Sequence, residues 1–267
     1  MDHFYWKEKN GLKLLVANNL EAAGFVNGFS TRLGGVSPFP ENDLNLAGYS
    51  EDTEENIEEN RHRFLKFFGN GYRLSTVWQI HGDTVKTVRS SEDASQTEDR
   101  ADALVSEMKG LLVGVKTADC VPVLIADPES GAFSAVHAGW RGTLQRIVEK
   151  AVQGLATEFG SNPGDLVAAI GPAAGGECYE VGPEVVEQFA SEFSRSEEYF
   201  SETNGGHALV DLHLANQDQL VGMGLDRDKI STAPFCTMER TDLFFSYRKE
   251  KGKLGKTGRL LSVIGRA

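Results

Sequence analysis

The chain has 267 residues, 40% of them hydrophobic and 25% charged, which is ordinary for a globular protein able to bury a large core. Its 39 acidic residues against 27 basic ones give a formal charge of −12, which argues against nonspecific DNA or RNA binding, because phosphate backbones attract Lys/Arg surfaces. Apolar runs such as residues 121–126 are too short to span a bilayer, so no membrane association is expected. Residues 1–9 carry no basic stretch followed by an apolar one, as a signal peptide would. The three widely spaced cysteines, Cys120, Cys178 and Cys236, lack any Cys-x-x-Cys and fit a reducing cytoplasm better than a disulfide framework.

In chain order, the first 30 residues predict short strands about a turn at Asn10-Gly11. A helix is expected over 54–68, stopping at Gly69, and the polar, acidic stretch 90–100 reads as a solvated loop. Apolar runs at 111–116, 121–126, 132–137, 166–170, 208–211, 244–247 and 260–264 predict strands, several of them covered on both faces. The clearest helix spans 143–159: Leu144, Ile147, Val148, Ala151, Val152, Leu155, Ala156 and Phe159 form one buried stripe, and Gly160 stops it. Further helices are expected at 183–193 and 212–223. Strands and helices do not alternate regularly and no linker intervenes. The expectation is one domain, residues 1–267, with a layered α/β (α+β) fold and mixed sheets.

Three side chains at the edges of these runs carry the chemistry: His81 in Gln79-Ile80-His81-Gly82-Asp83, Cys120 in Thr117-Ala118-Asp119-Cys120-Val121-Pro122, and His137 in His137-Ala138-Gly139-Trp140-Arg141-Gly142. Two imidazoles and a thiolate suit zinc, and three protein ligands leave the fourth tetrahedral position open, as in a catalytic site. The same atoms also suit a cysteine hydrolase in which Cys120 is the nucleophile and His137 its base. Residue types alone do not separate the two. Arg32, Arg61, Arg141 and Arg248 are candidates to meet an anion, since guanidinium favours phosphate and carboxylate. Asn45, in an otherwise apolar turn, could orient a substrate or satisfy turn backbone. The glycine stretch 170–180 is neither a P-loop nor Gly-x-Gly-x-x-Gly, and is either a tight turn or a loop lining the pocket.

Thr31-Arg32-Leu33-Gly34-Gly35-Val36-Ser37, Asp43-Leu44-Asn45-Leu46, Asn60-Arg61, Gln79-Ile80-His81-Gly82, Asp102-Ala103-Leu104-Val105, the Cys120 and His137 motifs, Cys178-Tyr179-Glu180-Val181 and Phe244-Phe245-Ser246-Tyr247-Arg248 occur in that order. Together they resemble the bacterial YfiH/YlmD family, also called the laccase-domain or polyphenol oxidase family, across essentially the whole chain. The resemblance implies zinc at His81, Cys120 and His137 and a four-layer α/β/β/α fold related to the catalytic domain of cytotoxic necrotizing factor toxins. It implies purine nucleoside phosphorylase activity on adenosine, inosine, guanosine and methylthioadenosine, with phosphate as co-substrate, together with adenosine deaminase activity. Asn45, Arg61 and Arg248 are then the candidate substrate and phosphate contacts, and His81, Cys120 and His137 the catalytic set, in a monomer or homodimer. Some members instead edit peptidoglycan precursors, which keeps a cell-wall amidase as the alternative. One departure stands out: Ala174 and Glu177 occupy positions where the family commonly has Ile and Cys. A multicopper oxidase needs paired His-x-His ligands and more than the six histidines present, although copper can enter a His₂Cys set adventitiously.

Overall fold

A computed structural model describes residues 3–38, 41–46 and 52–267; Met1, Asp2 and Ala47 lie outside them. The strands are β1 (Phe4–Lys9), β2 (Leu12–Ala17), β3 (Val26–Ser30), β4 (Leu33–Ser37), β5 (Arg73–Ser75), β6 (Val85–Val88), β7 (Ala103–Ser106), β8 (Leu111–Thr117), β9 (Val121–Ala126), β10 (Phe133–Ala138), β11 (Val167–Ile170), β12 (Glu180–Val181), β13 (Phe200–Glu202), β14 (Ala208–Val210), β15 (Ile230–Thr232) and β16 (Leu260–Arg266). The helices are α1 (Asn18–Ala22), α2 (Glu54–Phe68), α3 (Ser91–Ser95), α4 (Trp140–Leu144), α5 (Ile147–Phe159), α6 (Pro183–Glu192), α7 (Leu212–Gly222) and α8 (Tyr247–Leu254).

Among the described residues the strands form two six-stranded sheets, ordered β1-β2-β3-β16-β8-β5 and β15-β11-β9-β10-β7-β6, and a small sheet β12-β14-β13. Both large sheets are mixed: β5–β8, β6–β7 and β11–β15 pair in parallel, while the remaining pairs within them are antiparallel.

Period-two alternation distributes the strand side chains. On β8, Leu111, Val113 and Val115 meet Leu124 and Ala126 of β9 and Phe133 and Ala135 of β10, so the two large sheets pack face to face. Leu112 points the other way, joining Leu261 and Val263 of β16 beneath Phe64 and Phe67 of α2. On β9, Val121, Val123 and Ile125 face the α5 stripe of Ile147, Val148, Ala151, Val152 and Leu155, with Phe189 of α6 and Leu220 of α7 alongside. Both faces of β9 are buried, which is why its six residues are all apolar.

Three local expectations are corrected. The 143–159 helix is two helices, because Arg146 adopts a left-handed conformation (φ 62°) between α4 and α5. Residues 244–247 form no strand: Leu243 and Phe244 donate to the Arg240 carbonyl in a buried turn, and Ser246 caps α8 by accepting from the Lys249 N–H. Within 90–100, Ser90 and Asp93 make a reciprocal capping box that starts α3.

Candidate active site

The site forms where β8, β9 and β10 end. Cys120 sits in the turn joining β8 to β9, and antiparallel register sets His137 of β10 opposite Pro122, two residues beyond Cys120. His81 arrives on the loop after β5. The ligand atoms of the three side chains lie within 4.8 Å of one another, and the two imidazole rings stand edge to face at 4.8 Å.

Asp102, at the start of β7, organises this convergence. Its carboxylate accepts the backbone N–H of His81 (2.9 Å), of Gly82 (2.7 Å) and of Ile80 (3.3 Å), pinning the loop that carries His81 at a left-handed φ of 59°. The same carboxylate meets Nδ1 of His137 at 2.8 Å. An ionised carboxylate only accepts, so Nδ1 carries the proton and Nε2 is left to meet the Cys120 thiol. Burial pushes the Asp102 carboxyl up, but the His137 ring and the Gly82 and His81 N–H groups outweigh it and hold it below the usual range.

Cys120 is held from the other side. Asp119, also left-handed (φ 85°), accepts the Thr237 hydroxyl at 2.7 Å and the Arg248 N–H at 2.7 Å. A non-glycine residue in that region costs free energy and is kept only where surrounding contacts over-determine it. A Cβ on Gly139 would stand 3.0 Å from Cys120 Sγ and 3.3 Å from a His81 ring carbon, so this position admits no side chain without displacing the set. Burial raises the Cys120 thiol, but His137 and then His81 overcome it and bring it down to about 6. Burial lowers His137, while the Cys120 thiolate and Asp102 raise it to about 9. These shifts favour a thiolate beside an imidazolium; the thiolate suits attack, and His137 ligates a metal once Nε2 has given up its proton.

These groups open into a cavity of about 940 Å³. Arg61, Lys116, Arg141, Arg248 and Arg259 line it, a local positive field in a chain of charge −12. Burial, then the neighbouring Arg61, and more weakly Arg259, push Lys116 down to about 8, although Glu98 opposes them; its Nζ donates to the Val77 carbonyl at 2.9 Å. Trp78, Trp140, Tyr179 and Tyr247 supply aromatic surface on the same walls. The Arg141 guanidinium stacks on Trp140 at 4.1 Å and that of Arg248 on Tyr179 at 5.0 Å. Buried bonds from Asn216 and Gln219 of α7 to Thr143 hold α4, which carries Trp140 and Arg141.

Of the residues named from sequence, His81, Cys120 and His137 come together, and Arg61, Arg141 and Arg248 reach the cavity. Asn45 does not line it: its side chain is fully buried and its Oδ1 accepts the Arg259 N–H at 2.8 Å, positioning the strand that brings Arg259 to the wall. The Asn45 amide oxygen holds the backbone of the distant Arg259. Arg32 is also internal, paired with Asp43 at 2.7 Å and Glu250 at 2.6 Å. The glycine stretch is both a turn and, through Tyr179, part of the wall. Asp102, Lys116 and Arg259 were not singled out as site residues. For the first two the signal is a charged residue at the edge of an apolar strand; Arg259 gives none.

Residues 26–267 match the family described as multi-copper polyphenol oxidoreductase laccase. The chain is 35% identical over 254 residues to purine nucleoside phosphorylase YfiH of Escherichia coli, covering 94% of this chain and 98% of that one. It is 38% identical over 256 residues to a purine nucleoside phosphorylase of Deinococcus radiodurans, covering 96% and 93%. The crystal structure of YlmD from Geobacillus stearothermophilus superposes with a TM-score of 0.90 at 32% identity, covering 100% of this chain and 99% of that one. With nine motifs in order, a matching fold and near-complete coverage, the chain belongs to the YfiH/YlmD laccase-domain family.

Proposed function

We propose that this protein is a zinc-dependent purine nucleoside phosphorylase acting on adenosine, inosine, guanosine and methylthioadenosine, with inorganic phosphate as co-substrate and an accompanying adenosine deaminase activity. The observation that carries the reading is the meeting, in one cavity, of a His₂Cys set, an aromatic wall and a cluster of five cations. The names of the E. coli and D. radiodurans relatives support the same activity. The proposal includes a cytoplasmic location and one catalytic domain over residues 1–267. It also includes a four-layer α/β/β/α arrangement, which the packing of α5 on β9, of the two large sheets on each other and of α2 on β8 and β16 supports, and a relation to cytotoxic necrotizing factor catalytic domains.

The donor set fits zinc: a thiol already held at about 6, two imidazoles, an Asp102 carboxylate orienting one of them, and a glycine keeping the space between them clear. His81, Cys120 and His137 would hold the zinc, which would supply Lewis acidity. Arg61, Lys116 and Arg259 neutralise phosphate and orient it toward the ribose. Tyr179, Tyr247 and Trp78 offer faces on which a purine stacks. In phosphorolysis a phosphate oxygen bonds to C1′ as the bond from C1′ to the purine breaks, and the departing base takes the electron pair and then a proton.

A second reading rests on a specific observation. Asp102, His137 and Cys120 form a hydrogen-bonded chain in the order acid, imidazole, thiolate. That arrangement suits a hydrolase in which Cys120 attacks an amide carbonyl and His137 protonates the leaving amine, as required to edit a UDP-MurNAc-amino acid.

The deciding experiment incubates protein of verified metal content with adenosine, with and without phosphate, and separates the products. Adenine formed only with phosphate establishes phosphorolysis, and inosine formed in both establishes deamination. No product from any of the nucleosides, together with release of an amino acid from a UDP-MurNAc-amino acid, replaces the first reading by the second.

A further inference from the structure

A second cluster of metal-ligating side chains lies away from the His₂Cys set. Cys178, Cys236 and Glu239 place two sulfurs and a carboxylate oxygen within 4.8 Å of one another. The two thiols are half-buried and Glu239 is exposed, so the cluster is open to solvent ions. We infer that these three residues form a second cation site, selective for a thiophilic divalent ion of the zinc class, that ties the loop carrying Tyr179 to the segment carrying Thr237.

The backbone holds the three groups in place before any ion arrives. Cys178 sits on a turn closed by its own N–H and that of Tyr179 onto the Gly175 carbonyl, at 2.9 and 3.0 Å. Cys236 lies on a strand-like bridge to Ala173, and the Thr237 N–H donates to the Ala173 carbonyl at 2.9 Å. The Gly175 N–H donates to Cys236 Sγ at 3.2 Å, a bond that supports a thiolate ligand from behind. Glu239 follows three residues on, in a turn closed by Arg240 N–H onto the Cys236 carbonyl at 3.0 Å. Tetrahedral zinc with sulfur and oxygen ligands spaces them roughly 3.5–3.8 Å apart, inside the separation found.

A disulfide would use the two sulfurs alone, whereas a divalent cation would use all three groups. Each thiol that becomes a ligand releases its proton to solvent. The site also reaches the cavity: Tyr179 lines it, the Glu180 carbonyl accepts from Arg248 at 2.8 Å, and Thr237 holds Asp119 beside Cys120.

The test uses full-length, reduced, chelator-stripped protein, titrated with Cd²⁺ and followed by calorimetry and by thiolate-to-metal charge-transfer absorption. The wild type is expected to take up two equivalents with thiolate character. Cys120→Ser should keep the equivalent with two thiolates, and Cys178→Ser and Cys236→Ser should each keep only that of Cys120. Glu239→Gln, a surface change that preserves folding, should weaken the second equivalent by about tenfold or more. One equivalent in the wild type and none with thiolate character in Cys120→Ser overturns the site, and thiol counting then shows whether the pair has joined as a disulfide. The readout is binding, so failure of the phosphorylase reading leaves this result standing, and the converse holds.

Discussion

The carboxylate of Asp102 and the imidazole of His137 meet at 2.8 Å, both buried, and the same carboxylate holds three N–H groups of the loop bearing His81. One acid thus orients the imidazole of His137 and pins the backbone that carries His81, two groups that approach from different parts of the chain. In Asp102→Asn the amide presents an N–H where the carboxylate accepted. Metal affinity and turnover are expected to fall about 10–100-fold with the fold intact; metal content, steady-state kinetics and circular dichroism check this. Unchanged metal affinity would show that Asp102 serves only the backbone.

Cys120→Ala removes the sulfur that both histidines address. The variant is expected to fold, to lose the metal of the His81/Cys120/His137 set and to lose turnover. Elemental analysis and a melting curve decide, and full retention of metal at this set would rule out the ligand assignment.

Metal-free protein should show a stability optimum in pH. The Cys120 thiol lies at about 6 in the folded chain against 9.0 ordinarily, so its contribution is complete above 9 and is lost as pH falls through 6. His137 lies at about 9 against 6.5, so its contribution is complete below 6.5 and is lost as pH rises through 9. Melting temperature is expected to be highest between about 6 and 9, and iodoacetamide should alkylate Cys120 with a midpoint near 6.

Lys116 offers a test of anion recognition. Its folded value of about 8, against 10.5, means that the charged form is disfavoured by folding, a cost that is full below 8 and is relieved as pH rises from 8 to 10.5. The same deprotonation removes a cation from the cavity. Affinity for sulfate, whose own charge is constant, should therefore drop as pH climbs through 8. Lys116→Met should weaken binding about ten- to a hundredfold and flatten that dependence. Calorimetry across pH reads both.

Gly139→Ala tests the space between the ligands. Its methyl would sit 3.0 Å from Cys120 Sγ. Because Asp119 and Asp102 hold the backbone of those neighbours, we expect a stability loss of about 1–3 kcal/mol and a larger loss of metal affinity, measured by denaturation and by metal competition.

Much of the architecture is legible from local pattern. The six apolar residues 121–126 announce a strand covered on both faces, and 54–68, with Gly69 after it, announces α2, because period and punctuation act within a dozen residues. The break at Arg146 is not legible: the apolar stripe runs on through both helices, and only the contact of α4 with α7 through Thr143, Asn216 and Gln219 requires it. The run 244–247 misleads for a related reason. Phe244 and Phe245 are fully buried, but they fill a turn rather than a strand, and burial alone does not distinguish the two.

Residue types suggest the chemistry: a thiol and two imidazoles, flanked by small residues, suit metal ligation or nucleophilic attack, although each alone is also an ordinary buried residue. Their meeting depended on register, which is a long-range property. Antiparallel pairing of β9 with β10 sets His137 across from Pro122, and Asp102, carried in on β7, draws His81 to them. Other tertiary contacts bury Asn45 behind Arg259 and close Arg32 into an ion pair, while leaving Lys116 and Arg259 on the cavity wall. A side chain's identity is a local fact. Whether it faces a cavity or a partner is set by which distant strand lies beside it.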